Sequence, residues 1–450
     1  MAQAGIGNLG SGLGKFTELR QRLLFVLGAL VVYRIGCFVP VPGVNPDAML
    51  AMMQAQGGGI VDMFNMFSGG ALSRFSVFAL NVMPYISASI VMQLAVHIFP
   101  TLKALQKEGE SGRRKITQYS RIGAVGLAVV QGGSIAMALQ NQTAPGGMPV
   151  VYSPGMGFVL TAVVALTAGT ILLMWIGEQV TERGIGNGVS LIIFAGIVAG
   201  LPGAVIQTFQ AFQNGSMNFL TLVMIVLLVA VFTWFVVFVE RGQRRITVNY
   251  ARRQGGRNAY MNQTSFLPLK LNMSGVIPAI FASSILAFPA TLSMWSGQAA
   301  SVTWLQRVAN ALAPGEPLHM IVLAALIAGF AFFYTALVFN SQETADNLKK
   351  SGALIPGIRP GKATADYIDG VLTRLTAAGA AYLVIVCLLP EVMRTQMGTS
   401  FYFGGTSLLI VVVVVMDFIA QVQAHLMSHQ YESLLKKANL KGGSRGLSRG

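Results

Sequence analysis

Charge is what this sequence has least of. Only 10% of its 450 residues are Asp, Glu, Lys or Arg, while 54% are hydrophobic; a soluble chain carries about 25% charged residues. So little polar material cannot cover a water-facing surface, which excludes a soluble enzyme, a disordered tail protein and a nucleic-acid-binding domain. Cysteine is nearly absent too. Cys37 and Cys387 lie in separate apolar stretches with no Cys or His at ligand spacing, so neither a disulfide framework nor a zinc site is indicated. The four histidines, His97, His319, His425 and His429, fall near the ends of apolar runs or in the tail, and the i, i+4 pair His425 and His429 has no carboxylate between them. Walker A and HExxH motifs are missing and no nucleophile and base pair is recognisable, so the chain is read as no enzyme, with no catalytic residue, cofactor or metal and no small-molecule substrate. Gly5-Ile6-Gly7-Asn8-Leu9-Gly10 fits GxGxxG, but no strand precedes it.

What the chain has in abundance is long apolar runs. A bilayer core about 30 Å thick needs about 20 apolar residues in helix. Ten runs qualify, at residues 23–39, 75–99, 122–139, 158–176, 185–201, 219–239, 276–294, 320–339, 371–389 and 401–420. The first follows Lys15, Arg20 and Arg22 as a signal peptide would, but Pro40-Val41-Pro42-Gly43 offers no cleavage site, so it is read as a retained span. Lys and Arg set the orientation. With the N-terminus inside, 27 of the 31 basic residues fall on the inner side, leaving Arg34, Arg74, Arg307 and Arg394; both termini are therefore assigned to the cytoplasm. Spans one and six then start on opposite faces, the arithmetic of an inverted repeat, which an accidental ten-span count would also produce. The expected domains are a cytoplasmic segment 1–22, halves 23–201 and 202–420, and a basic tail 421–450.

Residues 56–73 are too short and too interrupted to cross. The apolar set Ile60, Val61, Met63, Phe64, Met66 and Phe67 is broken by Asn65 and followed by Ser68, Gly69 and Gly70, which fits either a re-entrant half-helix or an amphipathic helix on the surface. Asn81-Val82-Met83-Pro84 and Gly184-Ile185-Gly186-Asn187-Gly188 interrupt spans two and five, and each is followed by a branched i, i+4 pair, Val82 with Ile86 and Val189 with Ile193. Such pairs can gate a pore by dewetting or simply pack helices. Gly196 and Gly200 form a GxxxG read as packing span five on a neighbour. Loops 240–272 and 340–372 are longer than transporter loops need to be. Arg244, Arg245, Arg252, Arg253 and Arg257 suit inside retention, anionic lipid, or a large cytosolic partner such as ribosomal RNA. Within the spans Asp417 stands almost alone, poor material for the proton relay of an ion-coupled transporter.

Long, rare strings carry a resemblance. Met63-Phe64-Asn65-Met66-Phe67-Ser68-Gly69-Gly70-Ala71-Leu72-Ser73, Met83-Pro84-Tyr85-Ile86-Ser87-Ala88-Ser89-Ile90, Gly109-Glu110-Ser111-Gly112-Arg113-Arg114-Lys115, Thr181-Glu182-Arg183-Gly184-Ile185-Gly186-Asn187-Gly188, Gly275-Val276-Ile277-Pro278-Ala279-Ile280 and Gly357-Ile358-Arg359-Pro360-Gly361 resemble the SecY family of protein-conducting channels, its proteobacterial members most closely. The resemblance implies an all-α membrane protein of ten transmembrane helices, in two inverted five-helix halves around a central pore, with a re-entrant plug half-helix. It implies the general secretory translocon of the bacterial inner membrane, passing unfolded signal-bearing polypeptides across and releasing hydrophobic segments sideways into lipid. The implied partners are the small membrane subunits SecE and SecG, the SecA motor ATPase, the ribosome, signal peptides, nascent membrane proteins and anionic phospholipids.

The resemblance also assigns residues. Residues 60–73 match the plug; Val82, Ile86, Val189, Ile193, Ile280 and Ile410 match the apolar constriction ring, with Val at two positions. Ser87 and Phe288 carry over to the facing surfaces of a lateral gate between spans two and three and spans seven and eight. Arg359 matches the central docking arginine of loop 340–372, assisted by Arg244, Arg245, Arg252, Arg253 and Arg257. Asn81 departs from the Gly usual in close relatives and puts the local helix start in question. The alternative from another class is a secondary solute transporter with inverted repeats.

Overall fold

A computed structural model of the chain describes residues 17–55, 65, 68–140, 142–145, 147–215, 218–250, 264–295, 307–308, 311–313, 315–397 and 405–443. The chain divides into two compact units, one of Met1–Gly57, Val61–Gly200 and Val414–Gly450, the other of Gly58–Ile60 and Leu201–Val413.

The first unit holds α1 (Thr17–Gly36), α2 (Pro46–Ala55), α3 (Met83–Ile98), α4 (Pro100–Lys107), α5 (Glu110–Leu139), α6 (Met156–Arg183) and the start of α7 (Gly188–Gln213). Its packing is that of a membrane protein. On α5 the residues Ser120, Ala124, Ala128, Gly132 and Ala136 recur every four positions and are all buried. Such a small-residue stripe lets backbones approach closely where lipid supplies no hydrophobic drive between helices. Leu166 of α6 fills the space over Gly132, its Cδ1 standing 3.4 Å from where a Cβ would be. α3 packs on α5, with Ala88 opposite Gly123. α4 turns away from α3 by 98°. The predicted inner loop 100–121 is therefore largely helical, as α4 and the first turns of α5.

The second unit contains α8 (Phe219–Glu240), β1 (Gln243–Tyr250), β2 (Thr264–Lys270), α9 (Ile277–Trp295), α10 (Pro317–Val338), α11 (Ser341–Lys350), β3 (Ala353–Leu354) and α12 (Lys362–Met397), and the chain ends its described part in α13 (Gly405–Gly443). α8 is apolar all round and carries exposed Leu220, Val226, Leu227, Trp234 and Phe238, a surface that only lipid or another apolar partner can cover. On α10 the buried residues His319, Leu323, Ile327, Ala331 and Thr335 again recur every four. The His319 ring nitrogen Nε2 lies 3.4 Å from Glu391 Oε1, which also accepts from the Gly315 N–H at 2.9 Å, tying the segment before α10 to α12.

Seven helices among the described residues are long and apolar enough to cross a membrane, and an eighth span results if bent α3 and α4 count as one. α1 and α9 stand at the places of expected spans one and seven without being among those seven. Span two is the clearest departure. Residues 75–82 are turns rather than helix, and α3 begins only at Met83.

The two long loops are not independent. β1 pairs antiparallel with β2 from Gln243↔Lys270 to Asn249↔Thr264, and with β3 at Asn249↔Leu354 and Tyr250↔Ala353. The sheet order is β2-β1-β3. Ile246, Val248, Leu269, Ala353, Ile355, Ile368 and Leu372 form a common apolar core beneath it. Asn272 joins this subassembly to the spans, its Nδ2 donating to Glu240 Oε1 at 2.7 Å and to the Gly275 carbonyl at 3.1 Å.

Candidate functional site

Both sequence breaks that precede the predicted ring residues rest on glycines of one helix, α6. Before α3, a Cβ on Gly169 would lie 2.0 Å from the Val77 carbonyl oxygen, so bare backbone is what lets residues 75–82 approach. That segment is buried without being helical, and its polar groups are answered by the chain after α1: Val41 N–H donates to Phe75 O at 2.9 Å and Val77 N–H to Val39 O at 3.0 Å. Irregular backbone at membrane depth is tolerated when it is buried in protein and paired in this way. Phe75 and Asn81 adopt left-handed φ values of 46° and 51°. Asn at position 81 suits this angle, because Gly and Asn are the residues that visit this region readily. Asn81 Oδ1 accepts from the Val82 N–H at 2.8 Å. Val82, fully buried, occupies the N-cap of α3 rather than its first turn, and Pro84 stands at N1/N2. Val82 and Ile86 are joined by the first backbone bond of the helix, Ile86 N–H to Val82 O at 3.0 Å.

Before α7 the same α6 meets a different joint. A Cβ on Gly188 would lie 1.9 Å from the Gly177 carbonyl oxygen, and Gly186 sits at φ 95°. Asn187 caps α7, its Oδ1 accepting from Val189 N–H at 3.1 Å and Ser190 N–H at 3.4 Å. Thr181 bridges the two helices: its Oγ1 donates to Gly177 O at 2.8 Å and accepts from Gly188 N–H at 2.8 Å. Ile193 is buried and Val189 half-buried on the first turns of α7.

Of the predicted plug, Asn65, Ser68, Gly69 and Gly70 are described, while Ile60, Met63, Phe64, Met66 and Phe67 lie outside the described residues. Residues 65–73 tie a knot: Asn65 Oδ1 accepts from Ser73 N–H at 2.9 Å, the Asn65 carbonyl accepts from Gly70 N–H at 2.9 Å, and Ser68 Oγ accepts from Leu72 N–H at 3.2 Å. Gly69, at φ 66°, is pressed against Gly196 of α7, whose Cα is 3.0 Å from the position of a Cβ. Gly196 of the GxxxG thus meets this turn, and a Cβ built on Gly200 would meet nothing within 4 Å.

The other two ring candidates belong to the second unit, with Ile280 half-buried on α9 and Ile410 buried on α13. Ser87 is half-buried on α3, and Phe288 lies on α9. Within its own unit α3 packs on α5, and α9 packs on α10.

Three of the six docking candidates, Arg244, Arg245 and Arg359, lie on or next to strands of the three-stranded sheet. Arg244 and Arg245 are exposed on β1. Arg359 is exposed in the turn between β3 and α12, with Gly357 at φ 81° and Gly361 at φ 105° on either side. Its carbonyl accepts from Thr364 Oγ1 at 2.8 Å, pinning the turn to α12. Arg252, Arg253 and Arg257 lie outside the described residues. Sequence reasoning missed Phe266, 54% exposed and paired across the strands with Thr247 beside Arg245↔Pro268. The alternation of buried Leu269 and half-buried Leu267 with Phe266 and Pro268 is the signal that marks it as outward-facing.

The family model for SecY matches residues 76–419. The chain belongs to the SecY family. It is 59% identical over 435 residues to the protein translocase subunit SecY of Escherichia coli strain K12, covering 97% of this chain and 98% of that one. Among solved structures, a SecY channel whose plug domain stabilises the closed state and maintains a membrane seal superposes with a TM-score of 0.64 at 19% identity, covering 92% of this chain and 96% of the other. The channel of a canine ribosome-channel complex from the endoplasmic reticulum gives 0.63 at 16% identity over the same shares. The SecY fold therefore accounts for the mostly helical, multi-pass architecture, and the broken starts of α3 and α7 are part of how this member builds it.

Proposed function

We propose that this protein is the central pore-forming subunit of a bacterial inner-membrane translocon, passing unfolded signal-bearing polypeptides across and releasing hydrophobic segments sideways into lipid. The observation that carries this reading is 59% identity with a protein translocase subunit along 97% of the chain. In this reading ten transmembrane helices form two inverted halves, divided near residue 201, with both termini in the cytoplasm. Val82, Ile86, Val189, Ile193, Ile280 and Ile410 form the constriction, and residues 60–73 the plug. Branched apolar side chains suit the task physically. They contact any passing chain without sequence preference and oppose hydrated ions, because desolvation is non-directional. Sideways release through a gate flanked by Ser87 and Phe288 is a partition in which each Leu, Ile, Phe or Val favours lipid by about 0.3 to 0.6 kcal/mol.

No group in the chain is assigned chemistry, so a motor supplies direction. The proposed partners are SecA and the ribosome at Arg359, Arg244, Arg245, Arg252, Arg253 and Arg257, SecE and SecG in the membrane, and anionic phospholipids at the basic loops. The shared core under β1 and β3 supports a rigid docking platform, since it holds Arg244, Arg245 and Arg359 on one subassembly. A solute transporter would require buried ionic ligands, and the buried residues described include no Asp, Glu, Lys or Arg. The test is reconstitution into vesicles with the small subunits and SecA. ATP-dependent protection of a signal-bearing precursor from added protease is expected; no protection, with coupled uptake of a small solute instead, would overturn the reading.

A further inference from the structure

The knot at residues 65–73 leaves two carbonyls pointing at α1, and both are taken. Tyr33 Oη donates to Ser68 O at 3.1 Å in a buried contact, with Cys37 Sγ at 3.7 Å from the same oxygen. Arg34 Nη1 donates to Gly69 O at 2.6 Å. A charged donor makes this bond roughly twice as strong as a neutral one. Arg34 is itself held: its guanidinium carbon stands 4.8 Å from the centroid of the Phe38 ring, and that of Arg74 stands 4.3 Å from the same ring. From the other side Gly69 meets Gly196, one turn beyond Ile193 on α7. Residue 69 has no room for a side chain and a backbone φ of 66° that disfavours one, so its attachment is made through the carbonyl alone.

We propose that Arg34, with Tyr33 beside it, is a positioning residue that latches the C-terminal end of the plug to α1. The bonds to the carbonyls of residues 68 and 69 are made in the closed state and favour it over any state in which they are given up. This rests on reading residues 60–73 as the plug. The latch links three elements that the sequence keeps apart, namely α1, the end of the plug at Ser68 and Gly69, and the ring helix α7, and it makes the closed state depend on one cationic hydrogen bond at Gly69.

The test uses the whole complex in planar bilayers, reading resting ion conductance, together with vesicle export of a precursor whose signal sequence is weakened. Arg34→Met keeps the aliphatic stem but removes the donor, and is expected to raise resting conductance about ten-fold and to rescue the weak signal, as loss of one charge-assisted bond allows. Arg34→Lys retains a charged donor and should leak far less; equal leakage by both variants would count against the latch. Tyr33→Phe removes one oxygen and should give a smaller rise, which keeps the test alive if Arg34→Met fails to assemble. Deleting residues 60–67 separates the two readings. If the deletion leaves conductance and selectivity unchanged, the plug reading fails. If the deletion leaks while Arg34→Met and Tyr33→Phe both seal like the parent, the latch alone fails. Combined with the deletion, Arg34→Met should add nothing, and a further additive leak would reduce Arg34 to a general structural role.

Discussion

The starts of α3 and α7 do the same job by opposite means. Each begins a helix beside candidate ring residues, against α6, after a break in an apolar run. At α7 the break is made of satisfied groups: Asn187 caps two N–H groups, Thr181 serves a third, and Gly188 fits where no Cβ could. At α3 there is no side-chain cap within the helix. Two non-glycine residues hold left-handed conformations, Pro84 removes one donor that would need a partner, and burial of Phe75, Phe78, Leu80 and Val82 keeps the chain there. The α7 start is held by its hydrogen bonds and steric fit. The α3 start is held by the core around it, so its conformation is over-determined from outside.

This contrast can be broken experimentally. The largest effects belong to the glycine contacts that both starts share: Gly188→Ala and Gly169→Ala each force a Cβ to within about 2 Å of a backbone carbonyl oxygen, 1.9 Å and 2.0 Å respectively. Each should cost about 3 kcal/mol, at the upper end for overpacking, seen as a large fall in the thermal midpoint of the detergent-solubilised complex. Next comes polarity at the ring. Val82→Asn places an amide where the side chain is fully buried and should cost about 2 kcal/mol, whereas Val189→Asn at a half-buried site should leave the midpoint nearly unmoved and raise resting conductance. An equal midpoint loss in the two would erase the distinction between the starts.

Smaller effects separate cap from strain. Asn187→Ala should cost about 1 kcal/mol by loss of the N-cap. Asn81→Ala should cost a similar amount, about 1 kcal/mol, for a different reason, because alanine resists a left-handed φ. The smallest effect is the sharpest discriminator. Asn81→Gly should shift stability by only a few tenths of a kcal/mol, since glycine adopts the required conformation freely; a loss as large as that of Asn81→Ala would show that the Oδ1 contact with Val82, rather than the backbone angle, holds the α3 start.

Much of this was readable along the chain. The breaks at Asn81-Val82-Met83-Pro84 and Gly184-Ile185-Gly186-Asn187-Gly188 mark where α3 and α7 begin, because Pro, Gly and Asn act on their own backbone. The turn at Gly69 and Gly70 was legible for the same reason. Residues 75–82 misled, since Phe75, Val77, Phe78 and Leu80 read as the first turns of a span; all but the half-buried Val77 are buried in protein, and hydropathy does not distinguish that from lipid. Gly196 looked like a helix-packing residue, and nothing near it in sequence names residue 69 as its neighbour. The sheet was invisible, because β3 is two residues long and its partner β1 lies about a hundred residues earlier.

The sequence by itself determined the class, the places of most spans and the family. These follow from local demands: every stretch of about 20 residues in lipid must be apolar and internally hydrogen-bonded, whatever the rest of the chain does. Only the tertiary structure decided that one helix, α6, seats both broken starts, that Arg34 and Tyr33 grip the carbonyls at residues 68 and 69, and that two distant loops share a core. Those arrangements depend on which carbonyl meets which donor and on where a missing Cβ leaves room, and both are set by elements far apart in sequence.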